Sequence, residues 1–322
     1  SALDALPDVV TFMRAEAAWS PIVLRPLEVT GEKVGAAQSA IRPPSLFSGV
    51  GVRVATIDSG IDVLHPHFFF ADGGTYRWID VDASGSFSDG DGVDLDGNGS
   101  IDRTELLGFI EGAAVAPDRT TNLNDGFQVR VDWLYADRNE DGERNVGVKD
   151  GFTEEDLAYG EPLFVVDDVN NDGVLDPDEN LLRLGTSKVS QFVNTDETFT
   201  RGEDLIRSAE DLQMLDLSRH GTSVASIVAG GQLAHTRRGI APGAELLVFS
   251  EGQIQVFEQT GQLGFIATAV DQEADVILHE WTNGFTAPHD GSGNVEAAMD
   301  AASDTGVVQI NPVGNLNLAE KH

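Results

Sequence analysis

The 322 residues include no cysteine, which removes disulfide staples and thiol chemistry from consideration. Positive charge is scarce: 54 acidic residues stand against 20 basic ones, only four of them lysine, for a net charge of −34. A surface of that sign repels a phosphate backbone, which argues against nucleic acid as a partner. Long hydrophobic runs are missing too, and no stretch approaches the roughly 18 consecutive apolar residues of a membrane span. The chain opens Ser1-Ala2-Leu3-Asp4-Ala5, without an initiator methionine and without a basic-then-apolar signal pattern. Such a start is compatible with a leader that has been removed.

Hydrophobic residues make up 41% of the chain and the mean hydropathy is −0.14. That balance is ordinary for a globular chain able to bury one large core or two smaller ones. The acidity has three candidate explanations: bound cations, a salt-tolerant hydrated surface, or plain solubility. An extracellular chain without disulfides needs another staple, and calcium is the expected one.

The segment Leu217–Gly230 reads L-S-R-H-G-T-S-V-A-S-I-V-A-G. Val224, Ile227 and Val228 recur at helical spacing, with small residues between them that allow close packing. His220 is therefore expected in the first turn of a buried helix, its side chain aimed out of the body. Earlier in the chain, Val52–Ile57 is a β-branched run that stops at Asp58-Ser59-Gly60. An apolar strand ending this way presents a side chain at the carboxyl edge of an α/β sheet, although an Asp that merely caps a turn looks the same. After residue 205 the pattern alternates: strand Glu245–Phe249, helix Gly261–Glu273, strand Ala274–Leu278, helix Val295–Thr305, strand Gly306–Ile310. This predicts a parallel sheet with helices on both faces.

Residues 71–205 differ in kind, being rich in Gly and Asp and poor in aliphatic side chains. Two loops fill every place of the pattern D-x-[DN]-x-[DN]-G-x₅-E. One comprises Asp94, Asp96, Asn98, Ser100, Asp102 and Glu105; the other comprises Asp168, Asn170, Asp172, Val174, Asp176 and Glu179. Alternate oxygens converge, a Gly permits the sharp turn, the seventh residue offers its carbonyl, and the final Glu gives two oxygens to a cation with about seven ligands. Ile101 and Leu175 hold the apolar eighth place. A weaker third loop has Asp137, Asn139 and Asp141, then Gly142 and Asn145, but Val148 stands where the Glu belongs and Asp150 is the suggested substitute. The flanks before these loops are poor helices, so each reads as a loop followed by one helix, holding Ca2+ structurally.

Asp58, His220 and Asn315 all fall at predicted carboxyl ends of the sheet. They are the types an acyl-transfer site needs: an orienting carboxylate, an imidazole base and an amide donor for the oxyanion. In order, V-A-T-I-D-S-G-I-D, R-H-G-T-S-V-A-S-I-V-A-G, G-I-A-P-G-A-E-L, A-D-V-I and G-V-V-Q-I-N-P-V-G-N resemble the subtilisin-like serine proteases, the subtilases. The resemblance covers about residues 50–70 and 215–315. It implies the subtilisin-like α/β fold, protein or peptide substrates, and secretion. It also implies roles for Asp58 as orienting carboxylate, His220 as general base and Asn315 as oxyanion donor. Val9–Met13 resembles the end of an inhibitory propeptide, which would be a partner within the same chain.

Three departures from the family stand out. Its serine lies in a Gly-Thr-Ser-x-Ala-x-Pro block beyond the oxyanion Asn, whereas this chain stops at His322, so the nucleophile is expected outside it and the chain alone inactive. Gly221-Thr222-Ser223 imitates that block but belongs to the histidine motif, where Ser223 reads as a packing or capping hydroxyl. Asp58 and His220 lie 162 positions apart, the acidic insertion filling the gap. Glu280 and Trp281 stand where the family lines its substrate cleft with Asn, Ser and Gly. His65 and His67 read as structural turn residues, and His279-Glu280 lacks the second histidine of a zinc site, Asn283 standing in its place. The expected organisation is a propeptide end or linker over 1–35, catalytic domain over 36–75, calcium-binding insertion over 76–205, and catalytic domain again over 206–322. Two rivals to a serine endopeptidase are a tripeptidyl-peptidase-like exopeptidase and a non-catalytic calcium-binding pseudo-protease.

Overall fold

Strand β1 (Arg53–Asp58) is buried from Val54 onward on both faces, which is why it reads as a near-continuous apolar run rather than an alternating one. The computed structural model that shows this describes residues 48–111, 126–147, 156, 160–194, 197–205, 219–232, 238–250, 259–280 and 291–312. After β1 the chain passes a short 3-10 turn at Pro66–Phe68 and leaves the first core.

The next six strands are short and form an antiparallel sheet: β2 (Thr75–Ile79), β3 (Gly92–Asp94), β4 (Leu107–Ile110), β5 (Trp133–Ala136), β6 (Leu163–Asp167) and β7 (Asn180–Leu184). Their order is β3-β2-β7-β6-β5-β4, and the two end strands meet. Gly92 bridges to Leu106, Val93 N–H donates to Glu105 O and Leu107 N–H to Asp91 O, both at 2.9 Å. The sheet thus closes on itself and leaves little open edge. Gly92 is required at the seam, because a Cβ there would lie 2.5 Å from Ile101 and 2.6 Å from Glu105 O. Alternate residues explain the composition. Leu134, Ala136, Phe164 and Val166 face the interior with Trp78, while Trp133, Tyr135, Leu163 and Val165 form a second apolar face with Phe69 against it. Both faces of β5 and β6 are covered, so neither strand alternates in polarity.

The acidic loops connect strands, not helices. Asp94–Glu105 joins β3 to β4 and Asp168–Glu179 joins β6 to β7. The helix expected after each loop is replaced by a strand because Leu107–Ile110 and Asn180–Leu184 are committed to the ladder. A stalk of paired backbone returns the chain: Gly73 N–H donates to Arg183 O (2.9 Å), Phe70 N–H to Thr186 O (2.8 Å) and Lys188 N–H to Phe68 O (2.8 Å).

The remaining elements are β8 (Val189–Val193), β9 (Thr198–Thr200), α1 (His220–Ala229), β10 (Glu245–Ser250), α2 (Gln259–Asp271), β11 (Val276–His279), α3 (Asn294–Asp304) and β12 (Val308–Ile310). They build a sheet in the order β12-β11-β1-β10-β8-β9, parallel except for the β8–β9 pair. By sheet membership the chain has rejoined the first core by Val189, before the composition shift near residue 205. Val54, Leu246 and Val248 pack towards Ala225 and Ala229 of α1; Ala55, Ile57, Leu247 and Phe249 pack towards Phe265 of α2 and Ala302 of α3. Helices therefore cover both faces of the sheet. The chain crosses from β10 on one side of β1 to β11 on the other, so the strand order reverses at β1, where an α/β sheet opens a crevice at its carboxyl edge. Among the described residues no helix is long and apolar enough to cross a membrane.

Helix α1 packs differently from the expectation. Its buried residues are Gly221, Ala225 and Ala229, while Ile227 is 49% exposed. The small residues at every fourth position let the helix lie close on β1 and β10, while Ile227 faces outward and Val224 and Val228 are only half-buried, Val228 packing at the margin of the core.

Candidate active site

Asp58 ends β1 and His220 begins α1, and the two meet at the carboxyl edge of the parallel sheet. His220 Nδ1 lies 2.8 Å from Asp58 Oδ1 and 3.0 Å from Oδ2. The Asp58 side chain is 4% exposed and that of His220 is 54% exposed. The carboxylate is thus held in the protein, and the imidazole stands at the surface with its inner nitrogen engaged. Asp58 Oδ1 also accepts the Ser59 N–H at 2.5 Å, which fixes the carboxylate plane. An Asp–His bond of this kind holds one imidazole tautomer and leaves Nε2 as the basic atom.

The helix start is seated by the loop after β1. Gly221 N–H donates to Ser59 Oγ (3.1 Å), and Asp62 N–H donates to Thr222 Oγ1 (2.9 Å). Gly221 has no substitute here, since a Cβ would sit 2.0 Å from Gly60 O and 3.2 Å from Asp58 Cγ. Ser223 Oγ donates to Arg219 O at 2.7 Å, so its hydroxyl is spent on the first turn of α1. The far end of the helix is held as firmly. Lys188, 1% exposed, donates from Nζ to Ala229 O at 2.7 Å and also to Gly231 O. Burial pushes its ammonium pKa down to about 7. Gln232 donates to Pro66 O (2.8 Å) and Phe69 O (3.1 Å) and accepts from Trp133 Nε1 at 3.1 Å. The rings of His65 and His67 pack on Trp133 with centroids 5.9 and 5.0 Å away. Both histidines therefore sit at the junction between the two sheets, away from the Asp58–His220 pair.

His279 and Glu280 point to opposite sides. His279 is buried, with Nε2 at 2.9 Å from Gln309 Oε1 on β12, and burial lowers its pKa. Glu280 turns towards Asp58 and His220. The two do not converge on one point, so they form no zinc pair.

The acidic loops share one wiring pattern. In 94–105, Gly99 N–H donates to Asp94 Oδ2 (3.0 Å), Leu95 N–H to Glu105 Oε1 (2.8 Å) and Asp102 N–H to Glu105 Oε2 (3.0 Å). Asp94, Asp96 and Glu105 each bring one oxygen within 4.8 Å of the others. Asp94 is 8% exposed, and its Oδ1 is buried without a hydrogen-bond partner. Asn98, Ser100 and Asp102 remain exposed along the same loop. In 168–179, Gly173 N–H donates to Asp168 Oδ2 (3.1 Å), and Val169 and Asp176 N–H donate to Glu179 (2.8 and 3.3 Å). Here Arg130 already lies 2.7 Å from Asp168 Oδ2, whereas Asn170, Asp172 and Val174 are exposed.

Two features of these loops escape sequence reasoning. The third loop, with Gly142 N–H donating to Asp137 Oδ2 at 2.9 Å, is closed by Glu161, which accepts from Arg138 N–H (2.8 Å) and Asn145 N–H (2.7 Å). Glu161 is fully buried, which raises its pKa. Glu161 does for this loop what the final Glu does in the other two; Asp150, the residue suggested from the sequence, lies outside the described residues. Asn139 and Asp141 bond each other at 2.8 Å within that loop. A fourth loop, 80–91, repeats the pattern: Gly85 N–H donates to Asp80 Oδ2 (2.8 Å), Val81 N–H to Asp91 Oδ1 (3.0 Å) and Ser88 N–H to Asp91 Oδ2 (2.8 Å). Ser84 at the fifth place and Asp91 at the twelfth hide it from the motif. Gly85 at the sixth place and Phe87 at the eighth are the signals that find it.

Asn315, Asn317 and Trp281 lie outside the described residues, as does the stretch 1–35. The profile of the subtilase family matches residues 49–321, which takes in both sheets and the Asp58–His220 pair. No curated protein matches the chain.

Proposed function

The chain belongs to the subtilase family of serine-type peptidases, and from that premise we propose that it carries the charge-handling half of an endopeptidase site. His220 takes a proton at Nε2 from a serine hydroxyl as that oxygen attacks a peptide carbonyl, and returns it to the leaving amine. Asp58 keeps the proton on Nδ1 and stabilises the imidazolium. Asn315 donates its side-chain amide to the oxyanion, a contribution worth about 10²–10³ in rate. The observation that carries the reading is the bond from His220 Nδ1 to both Asp58 oxygens at 2.8 and 3.0 Å, made between a strand end and a helix start.

The test is a fluorophosphonate probe on the full gene product. One serine should be labelled, and His220→Ala should abolish labelling; a folded wild-type protein that takes no label refutes the reading. Peptides with blocked and free N-termini then separate endopeptidase from exopeptidase, because an exopeptidase requires the free amine.

We further propose that the 94–105 loop holds a structural Ca2+. Support comes from the buried, unpartnered Asp94 Oδ1, an anionic oxygen whose desolvation a cation would offset. Asp94, Asp96, Asn98, the Ser100 carbonyl and Glu105 would hold the ion, and 168–179 is the second candidate. Chelation should lower the melting temperature and open residues 94–179 to proteolysis. An unchanged melting curve refutes the proposal. Secretion, and a propeptide end over residues 1–35, belong to the same reading. An acidic chain stapled by calcium suits a calcium-rich exterior.

A further inference from the structure

The Asp58–His220 pair has a titratable neighbour that the acyl-transfer scheme leaves unused. Glu280 is the first residue beyond β11, and its N–H donates to Ile57 O at 3.1 Å, which continues the ladder beside Asp58. Pleat phase decides its direction. Ile277 and His279 face α2 and α3, so Glu280, one step on, faces α1. One carboxylate oxygen each from Asp58 and Glu280 and one ring nitrogen of His220 lie within 4.8 Å of one another. Glu280 is half-buried, and among the described residues no donor hydrogen-bonds its carboxylate. Burial and the Asp58 charge push its pKa up, while His220 draws it down.

Other charged groups near α1 are engaged elsewhere or face solvent, and Lys188 lies at the opposite end of the helix, on Ala229 O. Glu245 pairs with Arg201 at 2.7 Å, and Asp62 accepts the Leu64 N–H at 3.1 Å. His65 and His67 pack on Trp133. Arg219 precedes the histidine on its own element and is exposed.

We propose that Glu280 is a positioning residue that acts through His220. Its carboxylate adds a second negative charge beside the imidazolium and so sets the pH range in which His220 serves as a base. Asp58 already supplies the hydrogen bond along Nδ1, so Glu280 contributes field rather than orientation. A unit charge less than 5 Å away in a partly wet site shifts a titration by about one pH unit. The two groups then titrate as a coupled pair, the Glu280 carboxylate sensing the proton on His220. The inference rests on the role assigned to His220, but its test does not depend on turnover.

The experiment is an NMR titration of the chain with labelled histidine and glutamate, the His220 signal being identified by its loss in His220→Gln. Glu280→Gln should lower the His220 pKa by about one unit, and Glu280→Asp should keep most of the wild-type value. An unchanged or raised His220 pKa in folded Glu280→Gln overturns the proposal. In the wild-type chain, the Glu280 carboxyl carbon should show an inflection at the pH where His220 titrates. Its absence also overturns the proposal, and this measurement serves if Glu280→Gln does not fold. Failure of the fluorophosphonate test would count against the peptidase reading and leave this titration valid.

Discussion

Replacing Lys188 with methionine should flatten the dependence of stability on pH. Lys188 lies under the carboxyl end of α1, 1% exposed, with Nζ bonded to Ala229 O and Gly231 O and lying 5.5 Å from the centre of the Phe70 ring. Its pKa is pushed down to about 7 by burial, whereas in the unfolded chain it returns to about 10.4. Between those values the unfolded state holds the extra proton, so stability rises with pH there and is lost as pH falls towards 7. Below pH 7 both states are protonated and the contribution is constant. From pH 7.5 to 9.5 the rise amounts to about 2 kcal/mol. Methionine keeps the length of the side chain and removes the titration. Urea unfolding at several pH values, with calcium held fixed, should show a rising midpoint in the wild type and a flatter one in Lys188→Met. Parallel curves for the two proteins would refute the argument, because they would mean that the buried amine keeps its ordinary pKa.

Gly221→Ala should displace α1 from Gly60 and part His220 from Asp58. A shift of about 1 Å in such a pair costs on the order of 10² in rate, read as the rate of fluorophosphonate labelling of the full gene product. Asp58→Asn should slow that labelling by several orders of magnitude, on the order of 10⁴, while leaving the melting temperature nearly unchanged. Trp133→Ala removes the side chain that joins the closed sheet to Gln232 and the two histidine rings. The cost should be about 3–5 kcal/mol in urea unfolding, with faster hydrogen exchange at residues 229–232. Asp94→Ala should weaken the response of the melting temperature to calcium, any remainder reporting the 168–179 loop, without affecting the Asp58–His220 bond, which a histidine NMR spectrum checks.

The parallel sheet is legible at its centre because β1 and β10 are near-continuous apolar runs closed by a polar residue, Val54–Asp58 and Leu246–Ser250, whereas β8 is hidden by Ser190 and Gln191. The placement of Asp58 and His220 at one edge followed from that. The closed sheet was not legible, since its strands have three to five residues and both faces of β5 and β6 are covered. The packing face of α1 is not legible from bulk, because closeness decides it: Gly221, Ala225 and Ala229 make the contact. Glu161 could not be assigned because it stands 16 positions from Asn145. Glu280 could not be aimed because its direction depends on where the pleat of β11 begins.

The stalk at 68–74 and 183–188 has a consequence for how such a molecule arises. The strands that enter and leave the closed sheet lie side by side, β2 against β7, with Phe69 bridged to Ser187. To the parallel sheet, everything between them is a single hairpin loop. The closure entropy of a loop grows only with the logarithm of its length, so a whole folded module fits there at little cost to the host. The same geometry makes it removable. A short turn between Phe70 and Gly185 would restore a plain hairpin, and the apolar contacts of Trp133 would be the main surface left to repair. The acidic segment is a passenger carried at one point of the chain, yet through Trp133 it holds Gln232, three residues beyond the helix whose first residue is His220.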